Sequence, residues 1–275
     1  MRRVVRQVLS FGFAGKLPTL GDFVYRGWRT STRDGLDALL QQTLAALYSA
    51  SPHANQAIAQ APCMALSIRP GVIGAHGLVC VVLASHDRVG RVYPLCVGVE
   101  FDAAESSALG WPSLAYAHAL IERVQHAIDT QANADELLAQ ISAVGDPRDH
   151  SPWLGGLSGD DTVPSFDGGV GWLRIQGPQA ALSSGLAALC ARLQMGTDVL
   201  GLRLDESGDI SDFFACRRLD AGTASAAGAA FAALFDGAWV ARGWTSFDAY
   251  QEAPPKAAPE APKLNRSGPF GIGEA

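Results

Sequence analysis

The sequence has no run of apolar residues close to the roughly 20 that a membrane-spanning helix requires. Its N-terminal apolar stretch is interrupted by Arg6 and by two glycines, which does not match a signal peptide. It also has no cluster of lysine and arginine beyond Arg2, Arg3 and Arg6, and its net charge is −6. Binding to nucleic-acid phosphates requires clustered cations. We therefore expect a cytoplasmic protein that neither inserts directly into a membrane nor binds nucleic acid.

The sequence also has no CxxC pair, and its number of cysteines is odd. Each of the five lies within an apolar run: Cys63, Cys80, Cys96, Cys190 and Cys216. This pattern predicts buried, reduced thiols in a reducing compartment. Because a metal site needs closely spaced ligands, we expect no bound metal and no cofactor.

What the sequence does have is enough apolar material for a folded core, with 48% hydrophobic and 17% charged residues. Patterns of β-forming residues predict strands over 11–15, 64–69, 78–84, 91–100, 171–175, 199–204 and 212–219. Helical periodicity is found over 34–49, 111–128, 135–144, 180–193 and 226–240. The 78–84 run is apolar on both faces, which predicts a central strand. Short connections favour antiparallel pairing. The expected fold is α/β of the α+β type, an antiparallel or mixed central sheet flanked by helices.

The domain organisation follows from changes in composition. We expect one α/β domain over residues 1–248. Within it, residues 145–169 are polar, acidic and glycine-rich, which predicts a surface loop or insertion. Residues 249–275 are rich in proline and alanine, which predicts a disordered tail.

No complete catalytic constellation is found. Gly15-Lys16 lacks the other residues of a phosphate-binding loop. Asp-Gly pairs at 167–168 and 236–237, with Asp146 and Asp149, leave open an alternative, a metal-dependent serine/threonine phosphatase-like enzyme. Asp-Gly is also common turn chemistry. We therefore expect no catalytic residues and a protein that is not an enzyme.

Two charged segments stand out against this background. The first is residues 15–26 and the second residues 85–95, each beside a predicted strand. Their charged residues form the candidate site: Lys16, Asp22, Arg26, Asp87, Arg88 and Arg91. Charges beside a core must be paired, so one interpretation is a structural network in which Asp22 and Asp87 pair with Lys16, Arg88 or Arg91. The other is a surface that binds a protein partner. Both require the two segments to be neighbours in space.

The two segments resemble the TagF (ImpM) family of type VI secretion system-associated proteins. The first fits the pattern G-K-[LM]-P-x-x-G-D-F-x-x-R throughout. The second fits P-S-x-D-x-x-G-R-x-[FY]-P-L except that Ala84 replaces the proline. A weaker similarity, Phe235-Asp236-Gly237 with Trp239 and Gly243-Trp244, extends the resemblance over residues 11–244.

The resemblance implies a non-enzymatic accessory protein that represses assembly of the secretion system after translation. Its partners would be type VI secretion components, including a forkhead-associated-domain protein, in a pathway of threonine phosphorylation. Some relatives are fused to a serine/threonine phosphatase domain, for which this chain is too short. The implied fold is an antiparallel sheet flanked by helices, similar to longin or profilin modules.

Overall fold

In the computed structural model, residues 9–105, 113–150, 172–176, 199–204, 210–216 and 245–246 are described. Nine strands lie in this part of the chain: β1 Ser10–Lys16, β2 Phe23–Arg26, β3 Met64–Ile68, β4 Gly77–Leu83, β5 Leu95–Phe101, β6 Trp172–Gln176, β7 Val199–Leu204, β8 Ile210–Cys216 and β9 Thr245–Ser246. The helices of the same part are α1 Thr30–Ala50, α2 Ala54–Ala59, α3 Leu114–Asp129 and α4 Ala134–Ser142. Short 3₁₀ turns occupy Ala103–Glu105 and Pro147–Asp149.

The strands form one sheet in the order β2-β1-β5-β4-β3-β7-β8-β6-β9. All neighbours are antiparallel except β6 and β9, which pair in parallel. This confirms the predicted α+β fold with an antiparallel sheet and flanking helices. The likeness to longin or profilin modules stays an expectation.

The sheet has a hydrophobic core on each face. Strand β4 shows why, because Val79 and Val81 belong to one core while Leu78, Cys80 and Val82 belong to the other. Helices α3 and α4 cover the first face, and α1 and α2 cover the second. The prediction that the 78–84 run forms a central strand, apolar on both sides, is therefore confirmed.

Two of the four described helices, α3 and α4, begin at a residue whose side chain caps them, whereas α1 and α2 have no side-chain cap. The Asn133 side chain accepts from the backbone N–H groups of Asp135 and Glu136, and the Glu136 carboxylate accepts from the Asn133 N–H, which makes a capping box at the start of α4. Ser113 caps α3. Helix α1 follows Arg29, whose side chain makes no cap, and its first turn has no acidic residue. The start of α1 must therefore be stabilised from another element.

The predicted elements differ from the observed ones mainly at their ends. Strand β5 begins at Leu95 and not at residue 91, because residues before it form a loop. Helix α1 begins at Thr30, four residues before the predicted 34. The sequence analysis did not predict β2, α2 or β9.

Several predicted features lie outside the described residues, so the domain boundaries stay a prediction. They are the helices predicted over 180–193 and 226–240, residues 151–169 and the 249–275 tail. Among the described helices, none is both long and apolar enough to cross a membrane.

Candidate contact site at the paired loops

The loop over residues 85–93, between β4 and β5, folds around the carboxylate of Asp87. The Asp87 Oδ1 atom accepts from the backbone N–H groups of Val89 at 3.1 Å and Arg91 at 2.9 Å. The Gly90 N–H donates to the Asp87 carbonyl at 2.9 Å, and Gly90 has a φ of 84°, which favours glycine. An aspartate that accepts from the backbone just after it is ordinary turn chemistry. The Asp-x-x-Gly-Arg spacing of the second motif is what this turn requires.

The loop over residues 17–22, between β1 and β2, lies against the first loop. The Leu20 carbonyl accepts from the Arg88 backbone N–H at 2.8 Å. The Gly21 carbonyl accepts from Arg91 Nη2 at 2.7 Å, and Ser85 Oγ donates to the carbonyl of Lys16 at 2.7 Å. The two charged segments are therefore neighbours in space, joined by main-chain and side-chain hydrogen bonds.

A close approach of the main chains explains the glycine that opens the first motif. Gly15 has a φ of 146°, a conformation that other residues rarely adopt. A Cβ atom at Gly15 would lie 2.4 Å from the carbonyl oxygen of Pro94. Any larger residue would push β1 away from the start of β5, and Lys16 would move with it.

Lys16, Asp87 and Arg91 form an ionic triad between the loops, in which Lys16 and Asp87 are buried. Asp87 Oδ2 lies 3.0 Å from Lys16 Nζ and 2.7 Å from Arg91 Nε. The Asp87 side chain is fully buried and that of Lys16 is 7% exposed, whereas Arg91 is 60% exposed. The Lys16 ammonium also lies 5.0 Å from the centre of the Phe23 ring, within range of a cation–π interaction.

The triad keeps Asp87 ionised. Burial alone raises the pKa of its carboxyl. The backbone N–H of Arg91, the Lys16 ammonium, the Arg91 guanidinium and the backbone N–H of Val89 together outweigh burial and hold the pKa well below its ordinary value. The negative charge is therefore a fixed part of the folded protein.

The other three predicted site residues lie apart from the triad. Asp22, expected to pair with a cation, is exposed and accepts instead from the Phe23 backbone N–H at 2.8 Å. Arg26 pairs with Asp135 of α4, with 3.1 Å between Nε and Oδ1. The side chain of Arg88 is exposed beside Gly21, since a Cβ on that glycine would lie 3.5 Å from Arg88 Nη2. The expected pairing thus forms around Asp87 but not around Asp22.

The tip of the 85–93 loop carries an apolar residue next to this arginine. Val89 is 68% exposed, an unusual exposure for a valine. The triad below it holds the loop by its base, so Arg88 and Val89 project from a fixed support. Because the loop is already held in place, Arg88 and Val89 can contact another macromolecule without the loop having to become ordered first.

The sequence analysis missed a second buried carboxylate, Glu100 on β5. Its Oε2 atom accepts from the backbone N–H of Arg29 at 3.2 Å and lies 3.3 Å from Arg29 Nη1. Its Oε1 atom accepts from the hydroxyl of Thr32 and lies 3.4 Å from His76 Nδ1. Glu100 thus provides the negative charge that the start of α1 lacks. The available signal was a single acidic residue within the apolar run 95–101.

The described cysteines are free thiols in buried or partly buried surroundings. Burial raises the pKa of the Cys63 and Cys96 thiols to about 12 and that of Cys80 well above its ordinary value, which disfavours the nucleophilic thiolate. Cys190 and the side chain of Cys216 lie outside the described part. Within the described ranges, no three His, Cys, Asp or Glu side chains are grouped so as to hold a metal ion.

The aspartates of the phosphatase alternative are described only in part. The Asp146 carboxylate accepts a hydrogen bond from Arg148 Nε at 2.8 Å. It also caps the 3₁₀ turn that contains Asp149. Asp167 and Asp236 lie outside the described residues, as does the weaker similarity over residues 235–244. The observed role of Asp146 is therefore that of a turn cap with an ion pair.

The sheet, its flanking helices and the paired loops define an α+β domain, and comparison with known proteins associates it with type VI secretion. Residues 12–144 match the model of the TagF N-terminal domain, described as type VI secretion system-associated. This segment, which contains both charged motifs, belongs to the TagF N-terminal domain family. None of the curated proteins matches the sequence.

The fold is similar to that of a solved structure. The crystal structure of PA0076 from Pseudomonas aeruginosa PAO1 superposes with a TM-score of 0.57 at 20% sequence identity. The match covers 83% of this chain and 94% of that chain. At this level of identity the similarity shows the fold alone.

Proposed function

We propose that the chain is a cytoplasmic accessory protein that restrains assembly of a type VI secretion system after translation, by binding a protein partner. The matched domain supports the association with this machine. The observation that carries the binding role is the exposed pair Arg88 and Val89, mounted on a loop whose base is fixed by Lys16, Asp87 and Arg91.

The proposal assigns the charged motifs to two roles. Lys16, Asp87 and Arg91 support the loops, and Arg88, Val89 and Asp22 form the contact surface. Arginine is enriched at interface centres, where its guanidinium can pair with a carboxylate or a phosphate while the contacts around it exclude water. The preferred partner surface is therefore acidic or phosphorylated. A forkhead-associated-domain protein of the secretion pathway is the partner class we propose to test first.

The test compares the wild-type chain with Arg88→Glu in pull-downs from the native cytoplasm and in titration calorimetry against the purified forkhead-associated-domain protein. We expect the variant to lose at least about tenfold in affinity, which corresponds to one good ionic contact. Arg123→Glu is the matched control, because it reverses an exposed cation on α3, which belongs to neither loop.

A second readout connects binding with secretion. Overproduction of the wild-type chain in its host should lower effector release, whereas overproduction of Arg88→Glu should not. If a folded Arg88→Glu variant both binds and represses like the wild type, the contact surface is not at this loop. If neither protein affects secretion, the regulatory role itself is wrong.

A further inference from the structure

A groove runs between β2 and α1 at one edge of the sheet. In the described part of the chain, β2 pairs only with β1, so its outer side has no neighbouring strand. The groove has a volume of about 370 Å³, with Ala14 and Gly15 of β1 among its lining residues. That is room for about a dozen waters at ~30 Å³ each. It is therefore wide enough for a long side chain and part of its backbone.

Aromatic rings form the wall of the groove on the β2 side. Phe23 is 50% exposed and Tyr25 is 51% exposed. Phe23 meets the Tyr93 ring edge to face at 4.6 Å, and the Arg33 guanidinium lies 4.4 Å from the centre of the Tyr25 ring. Half-exposed aromatic rings beside an open strand are unusual for a solvated edge, which proteins ordinarily protect with charges or proline.

The wall on the α1 side carries a carboxylate, Asp37, whose hydrogen-bond donors among the described residues are neutral. Arg33 is held by Asp34, with 2.6 Å between Nη2 and Oδ1. Asp37 accepts from Gln41 Nε2 at 2.6 Å and from the Tyr93 hydroxyl at 3.4 Å, and both donors are neutral. Among the described residues, no lysine or arginine lies within ion-pair distance of Asp37. The groove thus combines aromatic faces with a carboxylate that Arg33 attracts at longer range but does not pair with directly.

We propose that this groove binds an extended segment of a partner protein, which lies along β2 and inserts an arginine or lysine side chain between Tyr25 and Tyr93, toward Asp37. A strand added to a free sheet edge gains main-chain hydrogen bonds, and a pocket for one side chain provides specificity. A cation over aromatic faces and beside a carboxylate satisfies both features of the walls. An apolar or acidic side chain would leave Asp37 covered and unpaired, which is unfavourable.

This inference goes beyond the proposed function and does not rest on it. The groove is lined by residues of β1, β2 and α1 and by Tyr93, whereas the contact surface proposed above consists of Arg88, Val89 and Asp22. Either surface can be removed by substitution while the other is kept. Failure of one proposal therefore leaves the other open to its own test.

The first experiment titrates the full-length chain, labelled for NMR, with the blocked peptide acetyl-Val-Arg-Val-amide and with its citrulline analogue, which has nearly the same shape but no charge. We expect the arginine peptide to shift amide resonances of β2 and of residues 33–41, with an affinity about five- to tenfold higher than that of the analogue. Equal affinities, or shifts confined to other parts of the molecule, would overturn the proposal.

Substitutions in the groove test whether the preference for the arginine peptide over the citrulline peptide arises there. Asp37→Asn keeps the shape of the side chain and should abolish the preference for arginine over citrulline. Tyr25→Ala should weaken binding of both peptides, and because its ring is half exposed the fold should be retained. Asp129→Asn, which changes an exposed carboxylate on α3 that likewise accepts from a glutamine, should leave the preference unchanged. A preference that survives Asp37→Asn in a folded protein contradicts the assignment.

The natural occupant is identified by photo-crosslinking in the native cell, with p-benzoylphenylalanine in place of Tyr25. We expect the cross-linked segment to come from another protein and to carry a lysine or arginine within two residues of the cross-link. The cross-link should not form in the Asp37→Asn variant. Cross-links only to residues 247–275 of this chain or to a second copy, or to segments without a basic residue, would overturn the proposal.

Discussion

Asp87 and Glu100 are both carboxylates with fully buried side chains, but they differ in the burial of their cationic partners. The Lys16 side chain that pairs with Asp87 is 7% exposed, whereas the Arg29 side chain that pairs with Glu100 is 48% exposed. If Glu100 is removed, Arg29 can turn toward water. If Asp87 is removed, Lys16 stays buried without a counter-ion. The burial of the partner, more than that of the carboxylate, should therefore decide how much stability each pair controls.

The two carboxylates also connect different parts of the fold. Asp87 holds together the loop that follows β1 and the loop that precedes β5, and those loops carry the proposed contact surface. Glu100 holds the start of α1 against the sheet and replaces a missing helix cap. Disruption of Asp87 should therefore affect stability and partner binding together, while disruption of Glu100 should affect stability alone.

The largest effect is expected for Asp87→Asn. The substitution removes the charge shared by Lys16 and Arg91 and leaves a buried ammonium unpaired, so the melting temperature should fall by about 10 °C or more. Thermal unfolding followed by circular dichroism measures this change. Lys16→Met together with Asp87→Asn should recover part of the loss, because the unpaired charge is then absent. A melting temperature unchanged by Asp87→Asn would show that the triad does not stabilise the fold.

Acid should remove the stabilisation that the Asp87 carboxylate gives to the folded protein. The pKa of Asp87 is lowered in the folded protein, so the unfolded chain takes up this proton first as the pH falls. The stabilisation is present above the ordinary pKa of 3.8 and is lost progressively below it, toward the lower pKa of the folded state. The difference in melting temperature between wild type and Asp87→Asn should be constant above about pH 5 and should narrow below about pH 4. A difference that stays constant down to about pH 3 would contradict the lowered pKa.

Glu100→Gln should have a smaller effect. The amide oxygen can still accept from the Thr32 hydroxyl, and Arg29 can reach water, so we expect a loss of about 1–3 kcal/mol in the free energy of unfolding. Urea denaturation measures the loss, and binding of the secretion partner should be unchanged. If Glu100→Gln destabilises the protein more than Asp87→Asn does, partner burial is not the deciding factor.

These carboxylates also show how far the sequence predicts the site. The β4 strand could be predicted, because a run that is apolar on both faces fits only a strand covered on both sides. The adjacency of the two motifs could be expected, because both flank predicted strands and carry complementary charge. Which aspartate becomes buried could not be predicted. Asp87 is followed by a turn that brings Arg91 into contact with its carboxylate. Asp22 is the exposed residue just before β2. Only the tertiary fold distinguishes the two aspartates.

Other parts of the fold could not be predicted because their local sequence gives no clear pattern. Strand β2 is four residues long, and three of the four are exposed, so it has no apolar alternation to detect. Residues 91–94 continue the β-forming pattern of β5, but the hydrogen bonds of Asp87 hold the chain in a loop until Leu95. Glu100 was visible as one acid in an apolar strand. Its role depends on Arg29 and Thr32, about 70 residues earlier in the chain.

Arg91→Lys tests the half of the triad that faces solvent. Lysine keeps the charge but cannot donate to both Asp87 and the Gly21 carbonyl through a planar fork. Because the Arg91 side chain is 60% exposed, we expect a loss of only about 1 kcal/mol in the free energy of unfolding. The loss should be largely absent in an Asp87→Asn background, since the two substitutions remove the same contact. Full additivity would show that Arg91 acts independently of Asp87.

Arg88→Glu should change stability least of all, although the residue is adjacent to Asp87. The bond from its backbone N–H to the Leu20 carbonyl does not depend on the side chain, and the side chain itself is exposed. We expect the free energy of unfolding to stay within about 0.5 kcal/mol of wild type in urea denaturation, while partner binding is lost. A large destabilisation would assign Arg88 to the structural network of Lys16, Asp87 and Arg91. The contrast between neighbouring positions, one needed for the fold and one for the contact, is therefore the sharpest test of how the motif divides its charges.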